Sequence, residues 1–163
     1  MAEWLRRGLQ ILPSQFDSGR GLQKKIGNKY MIDKVILKMA SNTDDYGVLD
    51  NYSHYSYLKN SSCGDDMKIY LSVKTNKIKD FKYQGNFCIY CQASAGLLSK
   101  KMKNKPIKNV KKFLMNSKFF FNNKIFDRKN EWKDFEKIMN KKNIARKNCL
   151  LLPIKTLLKA LNN

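Results

Sequence analysis

Apolar residues recur at helical spacing between positions 28 and 40, at Tyr30, Met31, Val35, Ile36 and Met39, and this pattern predicts an amphipathic helix as the first regular element. The cluster Asn42-Thr43-Asp44-Asp45 and then Gly47 stop it, because these residues favour turns over helix interiors. The period then changes to two. The aromatic-rich stretch 52–58 predicts a first strand, and Met67, Ile69, Leu71 and Val73 alternate with polar neighbours over 67–74 to give a second strand with one apolar face. Thr75-Asn76 supplies a turn into a partner strand over 77–83, so the three strands form an antiparallel meander.

After Gly85 the helical period returns. Residues 89–103 carry Ala93, Leu97, Leu98 and Met102 and stop at Asn104-Lys105-Pro106; further helices are predicted over 107–115, 131–139 and 149–161. Residues 116–130, with the run Phe119-Phe120-Phe121, read as an insertion whose rings pack it onto the core. A helix, then strands, then helices make an α+β domain: a small antiparallel three-stranded sheet with helices packed on one face.

At 163 residues the chain suffices for one domain with a real core, and 42% hydrophobic with 12% aromatic residues places it outside the disordered class. The first residues differ in texture. Trp4, Leu5, Leu9, Ile11 and Leu12 are interleaved with Arg6 and Arg7 and followed by Ser18-Gly19-Arg20-Gly21, which divides the chain into an extension or linker, 1–27, and a folded domain, 28–163. No stretch approaches the ~18 apolar residues of a membrane span. The expectation is therefore a soluble, cytoplasmic protein with no membrane partner, the extension leaving an organellar address open.

The formal net charge of +20 points at first to phosphate backbones, but only five of the 33 basic residues are Arg (Arg6, Arg7, Arg20, Arg128 and Arg146). Readers of phosphates and bases usually contain Arg, whose planar fork binds two oxygens at once. A Lys- and Asn-rich, Pro-poor chain reads instead as compositional bias, so nucleic acid is not the expected partner. The rival reading is a lysine-rich nucleic-acid or ribosome-associated protein that stacks Tyr52, Tyr55 and Tyr57 on bases. Ordinary packing of a strand is the favoured account of those tyrosines.

The candidate chemistry lies in four cysteines, Cys63, Cys88, Cys91 and Cys149. Without a signal-peptide core, clustered thiols speak for metal or sulfur chemistry in a reducing compartment. Cys63 precedes the alternating strand, Cys88 opens the first helix after the sheet, and Cys149 opens the last helix. At such positions a helix start or turn favours the thiolate and exposes the sulfur. With Asp65, three thiolates would make a tetrahedral set suited to zinc, or an incomplete thiolate set suited to a labile iron–sulfur cluster. Cys88 and Cys91 also form a CxxC that could be half a zinc knuckle or a redox pair, but no second CxxC exists and His54 is the only histidine.

Three points carry a resemblance: Cys63-Gly64-Asp65; Gly85-Asn86-Phe87-Cys88 with Gln92-Ala93-Ser94-Ala95 behind it; and Arg146-Lys147-Asn148-Cys149 before a Leu-rich helix. Together with Val35-Ile36-Leu37 and Gly47-Val48-Leu49, they resemble the NifU/IscU-type iron–sulfur cluster assembly proteins over residues 30–161. The long interval from Cys88 to Cys149 and Arg146 three residues before the last cysteine look like the SufU branch. In the IscU branch a His stands where this chain has Asn148.

The resemblance implies a SufE/NifU-like fold and a zinc-bound sulfur acceptor. Its metal ligands would be Cys63, Asp65, Cys88 and Cys149, with Cys63 taking persulfide sulfur from a PLP-dependent cysteine desulfurase and Arg146 favouring the thiolates. Apo iron–sulfur proteins or a downstream scaffold would be the further partners. The alternative within the family is a scaffold building a [2Fe-2S] cluster on Cys63, Cys88 and Cys149; neither version is a stand-alone catalyst. The chain departs from the family where Met39-Ala40-Ser41-Asn42-Thr43-Asp44-Asp45 lacks the usual His and Pro, and where Cys91 replaces a small residue and reads as a buried substitute. Pro153 lies early in the last helix, where a first turn tolerates its missing N–H and a later turn does not, so it leaves the start of that helix open.

Overall fold

In a computed structural model of the chain, which describes residues 32–122 and 132–162, helix α1 spans Lys34–Ala40. It begins later than its apolar pattern because the Asp33 carboxylate accepts the Val35 N–H at 2.9 Å and caps the helix there. The extension 1–27, residues 28–31 of the expected first helix and 123–131 of the expected insertion and following helix lie outside the described residues.

The segment Asp45–Gly47 then runs alongside the third strand. Gly47 N donates to the Tyr83 carbonyl at 2.8 Å and Tyr83 N to the Asp45 carbonyl at 3.0 Å, which occupies an edge that would otherwise be open. Strands β1 (His54–Lys59), β2 (Asp66–Lys74) and β3 (Lys77–Gln84) form the expected antiparallel meander in the order β1-β2-β3. At the β2–β3 turn Thr75 and Asn76 both take positive φ, 48° and 60°, as a two-residue hairpin turn of matching twist requires. The alternation has one irregularity. Ser72 pairs with Asp80 and Val73 with Ile78, so Lys79 is an extra residue; Ile78 and Phe81 both face the core across this bulge, while Val73 is only half-buried.

Helix α2 (Ile89–Met102) buries Cys91 and Ala93 through Ser99, most of its circumference, because α1, the sheet and the last helix surround it. Its small residues permit this: a side chain on Gly96 would press on the Asn42 carbonyl of the α1 exit. Asn104, at φ 63°, breaks the helix, and α3 (Ile107–Asn116) follows. A 3-10 turn, Ser117–Asn122, buries Phe120 and Phe121, in line with the expected packing of that run. The Phe113 ring stacks on Trp132 at 4.2 Å and meets Phe135 at 4.7 Å, fixing the short helix α4 (Lys133–Ile138).

A second 3-10 turn, Lys141–Arg146, leads into α5 (Lys147–Ala160). Pro153 is its seventh residue, beyond the first turn, which settles where the helix starts. The helix continues through it because both sides of that turn are buried in the core, which outweighs the missing hydrogen bond. Two hydroxyls tie α5 down: Ser56 Oγ of β1 donates to the Thr156 carbonyl at 2.6 Å and Ser94 Oγ of α2 to the Leu150 carbonyl at 2.7 Å. The helices therefore cover one face of the sheet, as the α+β reading expects. No helix among the described residues is long and apolar enough to cross a membrane.

Candidate metal centre

The site begins in the loop between β1 and β2. Asn60 N donates to the Asp65 carbonyl at 2.7 Å and Gly64 N to the Asn60 carbonyl at 2.9 Å, closing the loop on itself, with Gly64 at φ 76°. Cys63 projects from this loop, exposed, while Asp65 is buried at its base. A second loop is laced beside it. Asp66 N donates to the Asn86 carbonyl at 2.8 Å, and Asn86 N returns to Asp66 Oδ1 at 3.3 Å. This close approach demands Gly85, at φ 153°, because any Cβ there would collide with the Asp66 carbonyl.

The lacing sets Cys88 at the N-cap of α2, half-buried, with its N–H donating to Asp65 Oδ1 at 3.2 Å. Cys149 arrives from the far end of the chain as the third residue of α5, two positions inside the helix rather than at its opening, and is buried. Pro153 stands four residues on and has no N–H to give the Cys149 carbonyl, so the turn that presents the thiol lacks its usual hydrogen bond. The Ser94 hydroxyl on the next carbonyl, that of Leu150, holds this turn against α2.

The donor atoms of Cys63, Asp65 and Cys149 all lie within 4.8 Å of one another, and Cys63 Sγ is 3.6 Å from Cys149 Sγ. Cys88 stands outside that tight group but close enough to act on the Cys149 thiol. Three of the four expected ligands thus converge closely and the fourth borders them. Burial, with the neighbouring Cys63 and Cys88 groups, pushes the Cys149 thiol up, since a thiolate there would lose water and meet like charge.

One atom is out of balance. Asp65 Oδ2 is buried with no hydrogen-bond partner among the described residues, although buried polar atoms are rarely left so. An unpartnered carboxylate oxygen beside two thiols at 3.6 Å fits a metal ion: the set offers one hard and several soft anionic donors, and a cation would supply the missing partner.

Two further residues lie near the group. Arg146 is exposed, and its one contact among the described residues is the Tyr90 ring, over which its guanidinium lies at 5.5 Å from the centroid; no contact reaches a sulfur. Cys91 is fully buried in the core behind the group, where desolvation first and the surrounding acidic groups second drive its thiol up. Sequence reasoning missed Asn60. Its side-chain amide donates to Cys63 Sγ at 2.9 Å, while its Oδ1 accepts the Ser62 N–H at 3.1 Å. The signal was present as Asn60-Ser61-Ser62, an Asx-turn sequence ahead of the cysteine.

Residues 31–129 match the family of the NifU-like N-terminal domain. The chain is 31% identical over 134 residues to the iron–sulfur cluster assembly scaffold protein IscU of Thermotoga maritima, covering 82% of this chain and 94% of that one. Among solved structures it is similar to a protein from Fervidobacterium islandicum AW-1 described as an iron–sulfur cluster assembly scaffold for the SUF system (FiSufU). There the identity is 26%, the TM-score 0.69, and the match covers 80% of this chain and 96% of that one. The N-terminal part of a nitrogen-fixing NifU-like protein from Brucella abortus shares the fold at 19% identity, TM-score 0.69, over 80% of this chain and 91% of that one.

Proposed function

We propose a function on one premise, that this chain belongs to the NifU-like N-terminal domain family. It works in iron–sulfur cluster assembly as a zinc-bound sulfur acceptor of SufU type, in the cytoplasm, with residues 28–163 as the working domain. The observation that carries the reading is the convergence of an Asp65 carboxylate oxygen with the Cys63 and Cys149 thiols, together with a buried Asp65 Oδ2 that has no partner among the described residues. Asp65, Cys63 and Cys149 would hold the ion, with Cys88 as the fourth ligand. Bound there, zinc keeps the sulfurs deprotonated and oriented.

The exposed position of Cys63 supports the acceptor role for it. Its thiolate attacks the outer sulfur of a cysteine persulfide on a PLP-dependent desulfurase. The bond between that sulfur and the enzyme's cysteine breaks, a new sulfur–sulfur bond forms to Cys63, and the electron pair leaves on the enzyme's thiolate, so no external oxidant or reductant is needed. Asn60 orients the attacking sulfur through its 2.9 Å hydrogen bond. Asp65 fixes the start of α2 through Cys88 N. The sulfur is then passed to a downstream scaffold or an apo iron–sulfur protein.

A second reading, a scaffold that assembles a [2Fe-2S] cluster as cargo on the same cysteines, is favoured by the names of the Thermotoga and Fervidobacterium relatives. Metal and acid-labile sulfide content of protein purified without oxygen separates the two. About one zinc per chain without sulfide, lost in Cys88→Ala, supports the acceptor; iron with matching sulfide supports the scaffold. Cys63→Ala that leaves desulfurase stimulation intact removes the acceptor role from Cys63.

A further inference from the structure

The face of the sheet turned away from the helices carries a group of tyrosines that the metal centre does not use. Ser56 points its hydroxyl into α5, so its neighbours Tyr55 and Tyr57 point outward, 38% and 40% exposed. Tyr52, 48% exposed, joins them from the loop before β1. The Tyr70 ring of β2 lies beneath, 7% exposed, at 5.2 Å from Tyr55 and 5.3 Å from Tyr52, and its hydroxyl accepts the Gln84 side-chain amide at 3.0 Å. Tyr70 is thus a fixed base that sets the orientation of two exposed rings. Single exposed aromatics are ordinary, but contiguous ones on a sheet face without a covering element are not.

Cations border the rings in register. Across the strands run Tyr55, Tyr70 and Lys82, then Tyr57, Lys68 and Gln84, and Lys59 follows on β1. Lys159 approaches from α5, its Nζ donating to the Tyr57 carbonyl at 3.3 Å. The carboxylates of this face are engaged elsewhere: Asp66 accepts from Asn86 N, and Asp80 accepts from Phe81 N and pairs with Lys103 at 3.7 Å. Lys59 and Lys68 have no ion-pair partner among the described residues.

We propose that this face is a binding platform for single-stranded nucleic acid, with Tyr55, Tyr57 and Tyr52 stacking on bases and Lys59, Lys68 and Lys159 on the phosphates. The argument rests on placement, not on the total charge. Tyr55 and Tyr57 stand about 7 Å apart along one strand, so each can take its own base. Base stacking on exposed rings is the sequence-tolerant mode of single-strand recognition, and a duplex hides the base faces it requires. Among the described residues no Arg lies on this face, Arg146 being over Tyr90, so the face offers no bidentate reading of guanine and binds without regard to sequence.

The test uses the full chain and fluorescence anisotropy with a labelled 15-nucleotide oligouridine and an RNA duplex of the same length, at several salt concentrations. Tyr55→Ala/Tyr57→Ala weakens single-strand binding at least about tenfold with an unchanged salt slope, and Tyr55→Phe/Tyr57→Phe keeps wild-type affinity. Lys108→Ala/Lys111→Ala on the exposed side of α3 costs less than the tyrosine pair. Far-UV circular dichroism and zinc content report folding and the metal reading separately, so loss of one proposal is not loss of the other. Equal affinity of wild type and the alanine pair, equal affinity for duplex, or loss of binding in the phenylalanine pair overturns the proposal.

Discussion

Asn60 gives its side-chain amide to Cys63 Sγ at 2.9 Å, so the most exposed thiol of the group is the one that carries a fixed hydrogen-bond donor. Access alone would leave Cys63 free to rotate. The hydrogen bond aims it, and the same side chain closes the loop through Ser62 N.

Asn60→Ala therefore slows alkylation of Cys63 by iodoacetamide about fivefold to tenfold, from the loss of a bond to a charged acceptor that contributes about 1.5 kcal/mol. Peptide mapping after timed quenching reads the rate at Cys63. An unchanged rate means the bond is incidental.

Asp65→Ala separates the metal's need for the carboxylate from the fold's. The metal-free variant melts only slightly lower than wild type, since losing the Oδ1 bond to Cys88 N is offset by removing a buried oxygen, Oδ2, that has no partner among the described residues. Added zinc raises the wild-type melting temperature by binding only the folded state, and the variant loses most of that rise. Thermal scans with and without zinc give both results.

Gly85→Ala forces a Cβ onto the Asp66 carbonyl at a φ of 153°. Destabilisation of about 2 kcal/mol or more follows, as for strained backbone that must shift, and urea unfolding measures it. Zinc affinity falls with it, because the same lacing sets Cys88 beside Asp65.

In metal-free protein the thiols of Cys91 and Cys149 are raised by burial, and the Tyr83 phenol is pushed up to about 12. The folded state holds these protons more tightly than the unfolded chain. Stability is full below about pH 8.5, the unfolded thiol value, and falls as pH rises above it, because the unfolded chain releases protons first. Urea midpoints at pH 7.5, 8.5 and 9.5 trace the decline, and Cys91→Ala flattens it while lowering the pH 7.5 value.

Pro153→Ala restores an N–H that can reach the Cys149 carbonyl. The helix gains stability, by about 1 kcal/mol after the fold's adaptation to proline is lost. The Cys149 thiol is re-aimed, so zinc affinity drops while the unfolding midpoint does not. Competition with a chromogenic chelator measures the first, and urea unfolding the second.

The sheet was legible because Met67, Ile69 and Leu71 keep a strict period of two and Thr75-Asn76 can only be a turn; the core buries all three. The bulge at Lys79 was not, since it depends on pairing with Ser72 and Val73 rather than on local preference. Cys63, Asp65, Cys88 and Cys149 stood out by their places at element boundaries and by family likeness. Sequence alone could not bring Cys149 to Cys63, which takes the Ser56 and Ser94 anchors on α5. The role of Arg146 came with the family likeness alone, and its guanidinium lies over the Tyr90 ring. The tyrosines of β1 were read as ordinary packing because period two does not say which face a helix will cover.

Cys63 and Cys149 are 86 residues apart in the chain yet 3.6 Å apart in the fold. An ion gripped by both is a cross-link closing a long loop, and cross-links of that span remove about 4 to 5 kcal/mol of unfolded-chain entropy in the loop-closure account. Release of the ion would return that freedom to α5, the element that Ser56 and Ser94 otherwise hold by single hydroxyls. If an ion sits there, its release and the loosening of α5 would be one event, and a partner that clasps α5 would slow release without touching a sulfur.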